Sequence, residues 1–194
     1  MDKDSFVELV RVHLSCYAMK LKISKTKTVK SGISDVSGYF CDDEGITVAG
    51  KSSRWFGILI HEYCHFIQWV ENFIGYSKFD KHYVGWDGWL SKKRNLKKKD
   101  LHIKFLAIRN LELDCEIRTV KMIKKYNLPV NIPKYIQGAN AYMFFYAYVK
   151  KHRLWPNKKI NKKLNDIQPT RFLRPNKYNK MTKEFEELMT KYCV

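Results

Sequence analysis

The feature that most limits what this chain can become is His61-Glu62-Tyr63-Cys64-His65, set inside an apolar run with helical spacing over residues 53–74. Ser52 or Ser53 suits the N-cap of such a helix and Gly75 its stop. Residues four apart on a helix lie one turn above each other, so His61 and His65 project to the same side. Two imidazole nitrogens placed there can bind one Zn²⁺ at roughly 2.0–2.1 Å. Glu62 follows the first imidazole directly, where a carboxylate can hold a water on the metal and take its proton. Helix phase agrees with this arrangement. Leu59, Tyr63, Phe66, Val70 and Phe73 make one apolar stripe, and Ile60, Ile67 and Ile74 widen it. Beside it runs the line Ile58, His61, His65, Gln68, Asn72, the polar part of an otherwise apolar helix. Buried imidazoles need partners, and a metal supplies them.

A catalytic zinc takes three protein ligands and keeps one position open, so a third ligand is expected elsewhere. Asn110 to Glu116 places three carboxylates in the middle of a second apolar helix. Leu101, Phe105, Ile108, Glu112, Cys115, Thr119 and Met122 share its inward face, where an unpaired Glu112 charge is costly. Glu112 is therefore assigned as the third ligand. Glu116, one turn later, is placed to accept the free N–H of a ligand histidine. Asp114 shares a charged face with Arg118, Lys121 and Lys125 and is read as a solvated ion-pair residue. His82 competes for the third position, since it follows His65 at a zinc-site spacing.

HEYCH followed by ELDCE, each on a helix, resembles the gluzincin metallopeptidases. The run from Gly38 through ITVAG into SSRWFGILIHEYCH is similar to the ImmA/IrrE group of small gluzincins, in which a strand leads into the metal helix. The resemblance covers about residues 38–126. The chain departs from that group in carrying Glu at position 116 instead of Asp or Asn, and in a longer gap between the motifs. The same motifs resemble the cores of CAAX-processing peptidases, whose membrane helices have no counterpart here. YIQGANAYMFFYAYVKKHRLW is similar to segments of uncharacterised phage-encoded metallopeptidases. The alternative with His82 as ligand resembles SprT/Spartan-type proteases that act on proteins crosslinked to DNA. What the gluzincin resemblance implies is a zinc-dependent metallopeptidase with one Zn²⁺ per chain and a protein or peptide substrate. Glu62 would be its general base, and Tyr135, Tyr142, Tyr146 and His82 its candidates for an oxyanion donor.

Length and patterning then set the frame. With 194 residues and an apolar fraction of 45%, the chain is expected to form one domain over 1–194. Its metallopeptidase core would span about 38–154, followed by an irregular basic segment over 155–194. The fold class expected is α+β, mostly helical: a zincin-like domain with a small antiparallel sheet. The pattern predicts helices over 4–21 (capped by Asp4), 101–126, 134–154 (ending at Trp155-Pro156) and 182–192 (capped by Thr182). Lys22 to Ser34 reads as a loop or ragged edge strand, and GYF-CDDEG-ITVAG as a hairpin. The second hairpin strand is expected to present a free edge to an extended peptide. Residues 76–100, with Gly85, Gly88 and SKKRNLKKK, read as a long surface loop that could lie over a substrate. Trp86 and Trp89 are expected to pack it down.

The net charge is +18, with 37 Lys and Arg against 19 Asp and Glu. Such a surface attracts nucleic acid or acidic proteins, or simply keeps the protein solvated. A basic nucleic-acid-binding protein is therefore the alternative reading, with Lys92, Lys93, Arg94, Lys97, Lys98 and Lys99 along phosphates. Five unpaired-looking cysteines point to a reducing compartment, with Cys64 and Cys115 as small core residues. No signal segment or membrane span is expected, so the location expected is intracellular: the host cytoplasm, or association with a virion, if the phage likeness holds.

Overall fold

The computed structural model describes residues 1–31, 34–71, 79–154 and 162–193. The fold is α+β and mostly helical. The chain divides into two compact units, residues 1–73 with 115–131 and residues 74–114 with 132–194.

In the first unit, helix α1 (Lys3–Ser15) precedes strands β1 (Lys20–Ser24), β2 (Val29–Ser31), β3 (Ser34–Val36), β4 (Gly38–Cys41) and β5 (Gly45–Ala49). Helix α2 (Trp55–Val70) follows. Asp2, and not Asp4, caps α1, its carboxylate accepting from the Ser5 N–H at 2.8 Å. The helix stops at Ser15 because the chain turns through Ala18 (φ 58°) to enter β1. The expected hairpin forms, with Tyr39 opposite Thr47 and Phe40 opposite Ile46. The sheet around it differs from the expectation in two ways. It is mixed and not antiparallel, because β1 pairs with β5 in parallel, Leu21 opposite Ile46 and Ile23 opposite Val48. The strand order is β1-β5-β4, so β5 is central and both of its edges are taken. Within this sheet the outer strands are therefore β1 and β4. β2 and β3 form a separate antiparallel pair.

Two glycines let this sheet close. Gly45 has φ +104°, and a Cβ there would lie 2.3 Å from the Lys20 carbonyl oxygen. Gly38 admits the Ile58 side chain of α2, which a Cβ would meet at 2.6 Å. β5 is buried along its whole length, and α2 lies against β4 and β5. Phe6, Val7, Val10 and Leu14 seal α1 into the same core. Phe6 packs edge-on to Phe56 and Tyr63 at 5.8 Å each.

The second unit holds α3 (Phe79–Leu90), the first part of α4 (Lys98–Lys125), α5 (Ile132–His152), α6 (Lys162–Asp166) and α7 (Lys183–Cys193), with a 3₁₀ turn at Pro175–Asn179. Residues 79–90 of the loop expected over 76–100 are thus helix α3, and residues 98–100 already belong to α4. At Gly85 a Cβ would meet the flexible end of the Lys104 side chain at 2.5 Å, which can swing aside. Trp86 and Trp89 are buried and pack together at 5.3 Å, as expected of them. The basic stretch after α3 is held by Arg153. Its guanidinium donates to the carbonyls of Trp89 (2.8 Å) and Arg94 (3.1 Å). The C-terminal segment is tied to α5 by a buried polar network. Asn140 donates to the Pro169 and Arg171 carbonyls at 2.8 and 2.9 Å and accepts from Tyr178. Thr182 caps α7, accepting from Phe185 N–H at 3.2 Å. Gly75, Asn72, Phe73, Ile74, Trp155 and Pro156 lie outside the described residues.

Candidate metal centre

α2 carries the two histidines on its polar line, anchored on one side by the β5–β4 sheet and on the other by α1. Its start differs from expectation: Arg54 is the N-cap and makes no side-chain cap bond, while Ser52 only accepts from Arg54 N–H at 3.4 Å. Of the apolar stripe read from the sequence, Leu59, Ile60, Tyr63 and Phe66 are buried, and Ile67 and Val70 are half-buried. Cys64 is fully buried, and burial pushes its thiol well above the ordinary range.

The two imidazoles meet at their Nε2 atoms, 3.1 Å apart. Each ring uses its other nitrogen on a neighbour. His65 Nδ1 lies 2.8 Å from Gln68 Oε1, and His61 Nδ1 lies 3.5 Å from Glu116 Oε1. An amide oxygen and a carboxylate are acceptors, so each Nδ1 is the donor to its neighbour and each Nε2 is turned toward the other ring. A proton on one Nε2 makes this contact an ordinary hydrogen bond, and a metal ion taking both nitrogens would displace that proton. Nitrogens bound to one tetrahedral zinc at 2.0–2.1 Å are about 3.3 Å apart, close to what the rings already adopt.

Burial alone would strip the His61 proton. The nearby Cys115 and Glu116 override it, so the His61 imidazolium is held well above its usual range. Cys115 has its Sγ 3.6 Å from His61 Nδ1 and donates to the His61 carbonyl at 3.2 Å. Ligand atoms of His61, His65 and Cys115 lie within 4.8 Å of one another, among the described residues. Glu62, next to His61 in the chain, is buried at 8% exposure.

The first unit therefore brings together His61, Glu62, His65, Gln68, Cys115 and Glu116. Sequence reasoning assigned no role to Gln68, although its place three residues after His65 on the polar line was the available signal. It gave Cys115 only a packing role. The second unit holds the other predicted site residues. Glu112 is partly buried on α4 and acts electrostatically on Tyr83 and Tyr146. The Tyr142 and Tyr146 hydroxyls are 3.0 Å apart. Burial, then Glu112 and Tyr142, push the Tyr146 hydroxyl well above its ordinary range. His82 is partly buried on α3, and Tyr135 partly buried on α5.

No described helix is long and apolar enough to cross a membrane. Comparison with known proteins finds no match to this chain among family models, curated proteins or solved structures.

Proposed function

We propose that the protein is a zinc-dependent metallopeptidase of zincin-like type, one zinc per chain, acting on a protein or peptide substrate. The observation that carries this reading is the pair of Nε2 atoms 3.1 Å apart, each ring oriented from behind through Nδ1. The donor set suits zinc, since imidazole nitrogens with a carboxylate or thiolate are its usual ligands. When bound, zinc supplies Lewis acidity toward the scissile carbonyl and lowers the pKa of a water to about 7. Glu62 takes the proton of the attacking water and passes it to the leaving amine nitrogen. Gln68 and Glu116 keep the two rings in the tautomer with Nε2 free. A hydroxyl among Tyr135, Tyr142 and Tyr146, or the His82 imidazole, is assigned to the developing oxyanion.

Glu112 is the third ligand in this reading, because a carboxylate leaves the metal acidic enough for hydrolysis. Cys115 is a second reading, favoured by its sulfur lying with both histidines. His82, the ligand of an SprT-like site, is the third. Zinc per chain, measured by elemental analysis after reconstitution, tests all of these together. Near-stoichiometric zinc is expected in the wild type, with loss in His61→Ala. Loss in Glu112→Ala alone upholds the primary ligand set, loss in Cys115→Ser alone replaces it, and loss in His82→Ala alone moves the site to the SprT-like type. Absence of zinc from the wild type would sink the proposal and leave the basic nucleic-acid-binding role. Glu62→Gln should keep its zinc and lose cleavage of unstructured peptides by roughly 10²–10⁴-fold.

A further inference from the structure

The second unit contains a group of cations that the peptidase reading does not use. Arg109 is 2% exposed, an extreme position for a guanidinium. Its Nη1 donates to the Pro175 carbonyl at 2.5 Å, while its Nε is buried without a hydrogen-bond partner. One carbonyl cannot neutralise it. Burial weakens its hold on its proton, and only the nearby Tyr178 works in the other direction.

Its charged neighbours are cations. The Arg109 guanidinium lies over the Phe105 ring at 5.6 Å, and the Lys150 ammonium over the same ring at 4.5 Å. Lys150 Nζ donates to His102 Nδ1 at 2.8 Å. Burial lowers the proton affinity of Lys150, and Lys98 and Arg109 lower it further. Burial, Lys150 and Arg109 do the same to His102. Among the described residues, no carboxylate pairs with Lys98, His102, Arg109 or Lys150. Structural duties account for parts of this group: Arg109 holds the Pro175 turn, and Lys150 caps an aromatic ring. They do not account for like charges brought together from α4 and α5 without an acid between them.

We propose that Arg109, Lys150, His102 and Lys98 form a binding site for a phosphate-type oxyanion. A tetrahedral dianion offers several acceptor oxygens and enough charge to compensate more than one of these cations. The guanidinium Nε is the inner donor, Lys150 and His102 flank the ligand, and Lys98 stands at the outer lip. Lys150 and His102 are only partly buried, so solvent reaches these two groups. The exposed run Lys92–Lys99 leads up to Lys98, so the phosphate can belong to a free ion or monoester, or to a nucleic-acid backbone.

Titration calorimetry of the full chain with inorganic phosphate tests the site, with chloride at matched ionic strength as the reference. Saturable binding is expected. It should weaken at least tenfold in Lys150→Met, recover in Lys150→Arg, and stay unchanged in Lys183→Met, whose side chain is 91% exposed. A short single-stranded oligonucleotide then separates the sources. Competition between it and phosphate, dependent on Lys150, assigns the site to backbone phosphates, whereas binding of phosphate without competition assigns it to a free ion or monoester. Heat no greater than that of chloride, or equal weakening in Lys150→Met and Lys183→Met, would overturn the proposal.

Discussion

At the scale of single residues, the centre depends on what lies behind each imidazole. Glu116 and Gln68 hold the rings by their Nδ1 atoms, and such supports typically set metal affinity by 10–100-fold. Glu116→Ala is therefore expected to weaken zinc binding by about that factor while leaving Glu62 in place. Competition against a calibrated chelator measures it, and an unchanged affinity would remove Glu116 from the site. His61 also predicts a pH dependence. Its pKa in the metal-free fold is raised well above the ordinary imidazole value of about 6.5, so its protonation stabilises the apoprotein fully below that value. That contribution is lost as pH rises through the folded pKa. Zinc needs the neutral ring, so its apparent affinity should rise with pH over the same window, each zinc releasing a proton. Calorimetry in buffers of different ionisation enthalpy reads that proton directly. Much of this arrangement was legible in the sequence, because i, i+4 spacing alone fixes which side chains share a helix face. Glu116 is reached from the sequence only through Glu112, one turn earlier on the same helix. The proximity of Cys115 to His61 could not be read there, since it is set by packing between residues 54 positions apart.

At the scale of elements, legibility followed the range of the contacts. The β4–β5 hairpin was readable because its pairing is local. β1 was not, because lysines at positions 20 and 22 mask a strand whose partner lies some twenty-five positions away, Lys20 opposite Gly45. The free edge expected on β5 vanished for the same reason. Helix α3 was hidden by Gly85 and Gly88, residues that weaken helical propensity. The Gly45 turn makes a related prediction. Gly45→Ala forces a side chain into positive φ and onto the Lys20 backbone, and should cost about 1–3 kcal/mol. Denaturant unfolding checks it, and a change under about 0.5 kcal/mol would show that the turn relaxes freely.

At the scale of the whole molecule, the +18 charge sets the response to salt. Like charges destabilise a compact chain, and ions screen them once the Debye length falls from about 30 Å in 0.01 M salt to about 8 Å at 0.15 M. The thermal midpoint should therefore rise over that range in sodium chloride. A flat profile would mean that the lysines are spaced widely enough not to repel. The excess of lysine was plain in the sequence, but the grouping of Lys98, His102, Arg109 and Lys150 was not. It required α4 and α5 to be placed side by side.

The central place of β5 has a bearing on durability. It is paired along both edges and buried throughout, so its amides belong among the last to exchange with solvent. The five residues 50–54 are all that separate it from the helix bearing His61 and His65. The face of α2 proposed to bind metal is thus moored to a slow-opening part of its unit instead of to a fraying end. On heating, loss of the centre should keep step with cooperative melting of that unit and not run ahead of it.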